Sequence, residues 1–251
     1  MQRDKPQGEG DRGALVARLS VTLGTIGLLA AGAGPIAVHA GIALPLQGFT
    51  VFLSGLLLGL VGFLTGTIAL LRTRGTRGLP RSRAWTGTGL GLLLVIVLLV
   101  AASPGRGLPR INDITTDPDN PPGFAAAARE PANQGRDLSY PASFAAQQRK
   151  AYPDIKPIVL AQAPAEAFVR AQRAAGQLGW KTTYSDPAAG MFEAQEVSPT
   201  FLFVDDIVVR VQPADEGSRI DVRSKSRNGT GDLGVNAKRI RAFAQTVVEG
   251  K

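Results

Sequence analysis

Three long stretches of this chain contain no charged residue. Residues 19–38 read LSVTLGTIGLLAAGAGPIAV, residues 49–71 form a second run and residues 85–102 a third. Crossing the hydrocarbon core of a bilayer takes about 20 consecutive apolar residues, so each run is long enough. A cleaved leader would explain only the first. A buried soluble helix would explain one of them, but not all three packed into the first part of the chain. The pattern predicts three transmembrane helices, a multi-pass membrane domain over 19–104, behind a short tail at 1–18.

Orientation follows from Lys and Arg in short connections. The tail carries Arg3, Lys5, Arg12 and Arg18, and the second connection carries Arg72, Arg74, Arg77, Arg81 and Arg83 with no acid among them. The first connection, 39–48, has neither Lys nor Arg. The tail and second connection are therefore expected in the cytoplasm. Residues 105–251 are expected on the other side, the periplasm if the host membrane is a bacterial inner membrane. The formal charge of +8 and the pI near 10.3 reflect these connections. They point to the membrane, with lipids as partners, and not to nucleic acid.

No Asp, Glu, Lys or Arg lies inside a run, whereas pumps and transporters usually need ionisable groups there. An anchor or assembly module fits better than a pore. His39 reads as an interfacial residue and Pro35 as a kink near the first helix end. Gly55, Gly59, Gly62 and Gly66 recur at helical spacing, a face on which another backbone can approach closely. That face is expected to pack either within the chain or against a second copy or another envelope protein.

Beyond the runs the pattern changes. Residues 105–154 hold many Pro and Asp residues and read as a strap, with short helices around 123–129 and 143–150. After it, 155–161 reads as a strand and 164–178 as a helix opened by Pro164 and closed by Gly179. Strands follow near 180–185, 190–197, 206–212 and 218–226, then a helix over 233–248 capped by Asp232. The class is α+β, with one curved antiparallel sheet in the order strand, helix, four strands, helix over 155–251. Ile207, Val209, Val211, Ile220 and Val222 share one face and belong to the core. Asp206, Arg210, Arg219, Asp221, Arg223, Lys225 and Arg227 alternate with them onto the opposite face, which together with Asp113 and Asp117 is the expected ligand or partner surface.

Several chemistries can be weighed at once. There is no cysteine and a single histidine, which removes thiol catalysis, disulfides, iron–sulfur clusters, a histidine triad and a two-histidine metal motif. No cofactor and no resident metal are expected. GTGDLG at 229–234 has dinucleotide-loop spacing but lacks the second strand and distant acid that such a site needs. DITTDPDN offers Asp113, Asp117 and Asp119, yet prolines interrupt it and no glutamate follows at calcium-loop spacing, so it reads as turns. Asp205 and Asp206 are adjacent in a strand and point to opposite faces, so they are poorly placed as a catalytic pair. NGT at 228–230 matches a glycosylation sequon without further support.

PRINDITTDPDNPP, QRKAYPDIKPIVL, DDIVVRV and SRIDVRSKSRNGTGDLGVNAKRIRAF resemble, in order and spacing, the domain of unknown function 1499. The resemblance covers roughly 108–245. It implies no activity, but it lends weight to Asp113, Asp117, Asp205, Asp206, Arg210, Arg219, Asp221, Arg223, Ser226, Asp232 and Asn236 as family positions. The expectation is a non-enzymatic inner-membrane protein whose periplasmic domain binds a lipid, a glycan or a partner. The alternatives are an envelope hydrolase using strap and sheet carboxylates, or a subunit of a membrane complex.

Overall fold

A computed structural model describes residues 7–75 and 78–250. Arg3, Lys5 and Arg77, which enter the orientation argument, lie outside them. The chain divides into two compact units, one running through Pro104 and counting Thr200–Leu202, and one made of Gly105–Pro199 and Phe203–Lys251.

Among the described residues, the first unit holds three helices long and apolar enough to cross a membrane: α1 (Gln7–His39), α2 (Pro45–Arg72) and α3 (Leu79–Ala102). α1 begins well before residue 19, so much of the expected tail is helical. Pro35 lies within α1. Arg81 and Arg83 belong to the start of α3, not to the connection, and Arg81 donates to the Thr73 carbonyl just past the end of α2.

The unit is built inside out. Leu29, Leu57 and Leu93 point outward, while the buried positions of α2 are mostly glycine. Threonine hydroxyls at 22, 50, 65, 67, 86 and 88 return to the carbonyl four residues back. Each of these hydroxyls is thereby satisfied within its own helix, as a nonpolar surrounding requires.

The glycine face is spent within the chain. A Cβ on Gly55 would come within 2.5 Å of the Gly27 carbonyl oxygen, and one on Gly62 within 3.1 Å of the Gly24 nitrogen, both in α1. A Cβ on Gly59 would overlap Leu94, and one on Gly66 would sit 2.6 Å from Thr88 Oγ1, both in α3. The stripe is thus two heptad-spaced pairs serving two neighbours. Of the two expected uses of the stripe, packing within the chain is the one these approaches display.

The second unit is α+β. Its sheet has six strands among the described residues: β1 (Asp113–Thr115), β2 (Ile158–Leu160), β3 (Lys181–Asp186), β4 (Met191–Val197), β5 (Val204–Ala214) and β6 (Gly217–Ser226). The order is β1-β6-β5-β4-β3, all antiparallel, and β2 lies in line with β1 along the same edge of β6. The two-residue connection Asp215–Glu216 fixes the long β5–β6 register.

One face carries Phe192, Ile207, Val209, Val211, Ile220 and Val222. It is covered by α5 (Pro164–Gln177) and α6 (Val235–Glu249), through Phe168, Ala171 and Ala175 from the first and Ile240, Phe243 and Val247 from the second. Trp180 stacks on Phe243 at 4.9 Å between ring centroids. α6 starts two residues later than the sequence suggests. Gly234 takes positive φ at its cap, and Asp232 reaches past it to accept from the Gly234 and Asn236 amides at 2.9 and 2.8 Å.

The other face is where expectation and structure differ most. It is not a solvated surface. Asp206, Asp221 and Arg223 are 1%, 0% and 2% exposed, because residues 105–154 lie across them. That segment is also less irregular than its composition suggests. It supplies β1, two single helical turns at 127–129 and 131–133, and α4 (Ala142–Ala151).

Candidate functional site

The charged residues stand in cross-strand rows. Gln195, Asp206, Lys225 and Asp113 form one row, Glu193, Val208, Arg223 and Thr115 the next, and Met191, Arg210 and Asp221 a third. Directly opposed residues on one face come close enough to bond, so antiparallel register alone brings these side chains together.

Arg223 is the centre. It holds Asp113 at two points, Nε to Oδ1 at 2.9 Å and Nη2 to Oδ2 at 2.7 Å, while Lys225 Nζ reaches the same Oδ2 at 2.9 Å. The guanidinium also donates to the carbonyls of Pro122 and Leu138 and lies against the rings of Phe124 and Tyr140. One buried arginine therefore grips the strap in several places. Burial, with Asp113 nearby, pushes the Tyr140 hydroxyl up to about 12.

The flanking groups pair in the same way. Asp117 and Asp221 take Arg219 and Arg210, with Arg219 Nη2 at 2.6 Å from Asp117 and Arg210 Nη2 at 3.0 Å from Asp221. Bonding to Asp221 holds the Arg219 guanidinium above its ordinary range. Asp206 takes Arg227 at 2.6 and 2.9 Å and the Asn133 amide at 3.0 Å. Arg227 is likewise raised, chiefly by its bonds to Asp206. Burial lowers Arg136, which donates to the Ser226 carbonyl.

All the expected binding residues on this face are thus brought together, and all are occupied. Each of the two carboxylate oxygens of Asp113, Asp117, Asp206 and Asp221 accepts a hydrogen bond. The strap is the ligand of the sheet.

Two side chains that hold the strap were not singled out from the sequence. Glu193, 1% exposed, accepts from three successive amides, Ala125, Ala126 and Ala127, at 2.5, 2.8 and 2.7 Å. The alternation of Glu193 with Phe192 and Ala194 was the available signal. Gln148 of α4 accepts from the Thr115 amide at 3.0 Å and donates to its carbonyl at 2.7 Å, completing the outer edge of β1 as a strand would.

Asp205, as expected, points the other way. It pairs with Arg239 at 2.7 Å beneath α6, in a network where Arg239 also donates to Ser224 and Asn236, and Asn236 to Ser226. Burial raises the Asp205 carboxyl, offset in part by Arg239 and Ser226.

Beside the strap lies an open recess of about 310 Å³. Thr116, Gln148, Tyr152 and Ile155 are buried around it, and Arg149 and Lys156 stand exposed at its rim. Arg149 pairs with Asp119 at 2.6 Å, and Lys156 has no ion pair among the described residues.

No curated protein matches the chain. A family model described as a protein of unknown function (DUF1499) matches residues 113–247. The matched segment opens on Asp113, the residue clasped by Arg223, and closes on Val247 in the buried stripe of α6, so it takes in strap, sheet and both covering helices. Spanning more than half of the chain, it shows that this protein belongs to the DUF1499 family.

Proposed function

We propose that the chain is a multi-pass inner-membrane protein, N-terminus in the cytoplasm, whose periplasmic domain binds a small acidic ligand without catalysis. The observation carrying this is the division of labour on the strap side. The carboxylates and arginines of the sheet are consumed in holding the strap, while the neighbouring recess carries two exposed cations at its rim, Lys156 and the Asp119-paired Arg149, over a largely nonpolar floor. A few convergent polar groups around an apolar hollow are what small-ligand sites share. An anionic group carried by a lipid or a glycan suits Arg149 and Lys156, with Tyr152 and Ile155 beneath it. The engaged oxygens of Asp113, Asp117, Asp206 and Asp221 weigh against a hydrolase run from those four carboxylates. The internal glycine stripe removes the main support for docking into a membrane complex through that face.

The test is native mass spectrometry of the intact protein released from gentle detergent. The reading expects a discrete added mass that survives activation and is lost when Arg149→Glu and Lys156→Glu are combined. A bare wild-type protein, or a mass retained by the double variant, would overturn it.

A further inference from the structure

A second surface of the unit that starts at Gly105 has a different character. α3 ends at Ala102 and a single helical turn carries the chain to Gly105, so residues 105–110 begin within a few residues of the bilayer edge. Its end and the two residues after it, 110–112, are stitched to the loop 229–235. Asn112 Nδ2 donates to the Gly229 carbonyl at 2.7 Å, Arg110 to Thr230 Oγ1 at 3.2 Å, and the Asp232 amide to the Ile111 carbonyl at 3.3 Å. Leu233 lies against Gly105 so closely that a Cβ at Gly105 would overlap it.

Leu233 has φ of 55°, a conformation branched side chains rarely adopt, and yet its side chain is turned outward. Leu233 is 54% and Val235 48% exposed. The one carboxylate of the loop, Asp232, is turned inward onto the Gly234 and Asn236 amides. Arg110 lines the same hollow as Leu233, and Arg106, next to Gly105, and Lys238, one helical turn after Val235, are exposed. Apolar tips accompanied by cations, with the acid withdrawn, match the chemistry of an interfacial lipid contact. We propose that Leu233 and Val235, flanked by Arg106 and Arg110, rest in the headgroup layer and take anionic lipid. This rests on the membrane reading of α1–α3 and is independent of the recess.

The absence of cysteine permits single-site labelling. Leu233→Cys, Val235→Cys and, as a control exposed elsewhere on the same unit, Val159→Cys would each carry an environment-sensitive fluorophore. The full chain is placed in phosphatidylcholine nanodiscs with and without phosphatidylglycerol, and quenching by a nitroxide-bearing lipid is measured. Quenching at 233 and 235 is expected to exceed that at 159 several-fold in the anionic discs. It should fall toward the control without phosphatidylglycerol, and also in Arg106→Glu/Arg110→Glu. Quenching at both positions no greater than at 159 would overturn the contact, and if one labelled variant misfolds the other decides. Strong quenching indifferent to lipid charge and to the charge reversal would overturn the anionic-lipid assignment.

Discussion

Arg223 clasps Asp113 from across 110 residues of sequence, through two hydrogen bonds of 2.9 and 2.7 Å, with both residues buried. This pair ties the start of the strap to the middle of β6. Removing one member leaves the other charge buried without its partner, and for Asp113 two cations are stranded. Asp113→Ala is therefore expected to cost about 3–5 kcal/mol. Thermal unfolding of the full chain in detergent reads the loss, and amide exchange should show it first at 113–140. A variant as stable as wild type would mean that the strap does not depend on this clasp.

Glu193 gives a subtler test of the same seal. Its carboxylate serves three amides, and Glu193→Gln keeps the shape while replacing one acceptor oxygen with a donor. At least one amide then faces an NH₂ group. A loss of about 1–3 kcal/mol is expected, concentrated in the strap. Limited proteolysis should cut near 125–127 sooner than in wild type, with the helical unit unaffected.

How much of this was legible in the sequence depends on range. Period-two alternation in β5 and β6 separates Ile207, Val209 and Val211 from Asp206 and Arg210, because side-chain direction in a strand is local. What covers the polar face is not local. β1 is three residues inside a stretch rich in Pro and Asp, and it becomes a strand only because 223–225 offers it an edge. The partners of Glu193 are backbone amides, which leave no trace in residue type. The charged row looked like a surface because its counter-charges, Asp113 and Glu130, are far away in sequence. The start of α6 moved for a similar reason: Asp232 caps from two residues outside, across a glycine with positive φ, where an adjacent cap was expected. In the helical unit the glycine spacing was plain, but which helix each glycine meets required the packing.

That packing sets opposite signs for similar substitutions. Gly59→Ala places a methyl group against Leu94 of α3, whereas Gly89→Ala meets nothing within 4 Å. The first should destabilise the helical unit by about 1–3 kcal/mol through overpacking. The second should be neutral or gain about 0.5–1 kcal/mol from helix propensity. Unfolding of the two variants in the same detergent checks the contrast. Equal effects would contradict the close approach of α2 and α3.

Asp205 carries a pH signature. Burial raises its carboxyl above the ordinary carboxylate range in the folded state. Between the unfolded and folded values the native state holds the extra proton, so stability falls as pH rises through that window. It stays lower above the window, where both states are ionised. Asp205→Asn removes this component while keeping a partner for Arg239. The wild-type minus variant difference in thermal midpoint should therefore decline with rising pH just above the ordinary carboxylate range. A flat difference would mean that Asp205 is not strained by its burial.

The orientation of the chain rests on charge alone and has its own test. Arg72, Arg74, Arg81 and Arg83 cluster at the α2–α3 junction, while residues 40–44 between α1 and α2 have no Lys or Arg. Holding the arginine-rich junction in the cytoplasm places both ends of the α1–α2 hairpin there and sends residues after Gly107 across the membrane. A reporter active only outside the cytoplasm, fused after Gly107, should therefore work. Replacing the four arginines by glutamine while adding Lys to residues 40–44 should shift activity toward a cytoplasmic reporter at the same point. Cytoplasmic activity in the wild type would reverse the orientation, and with it the compartment of the domain.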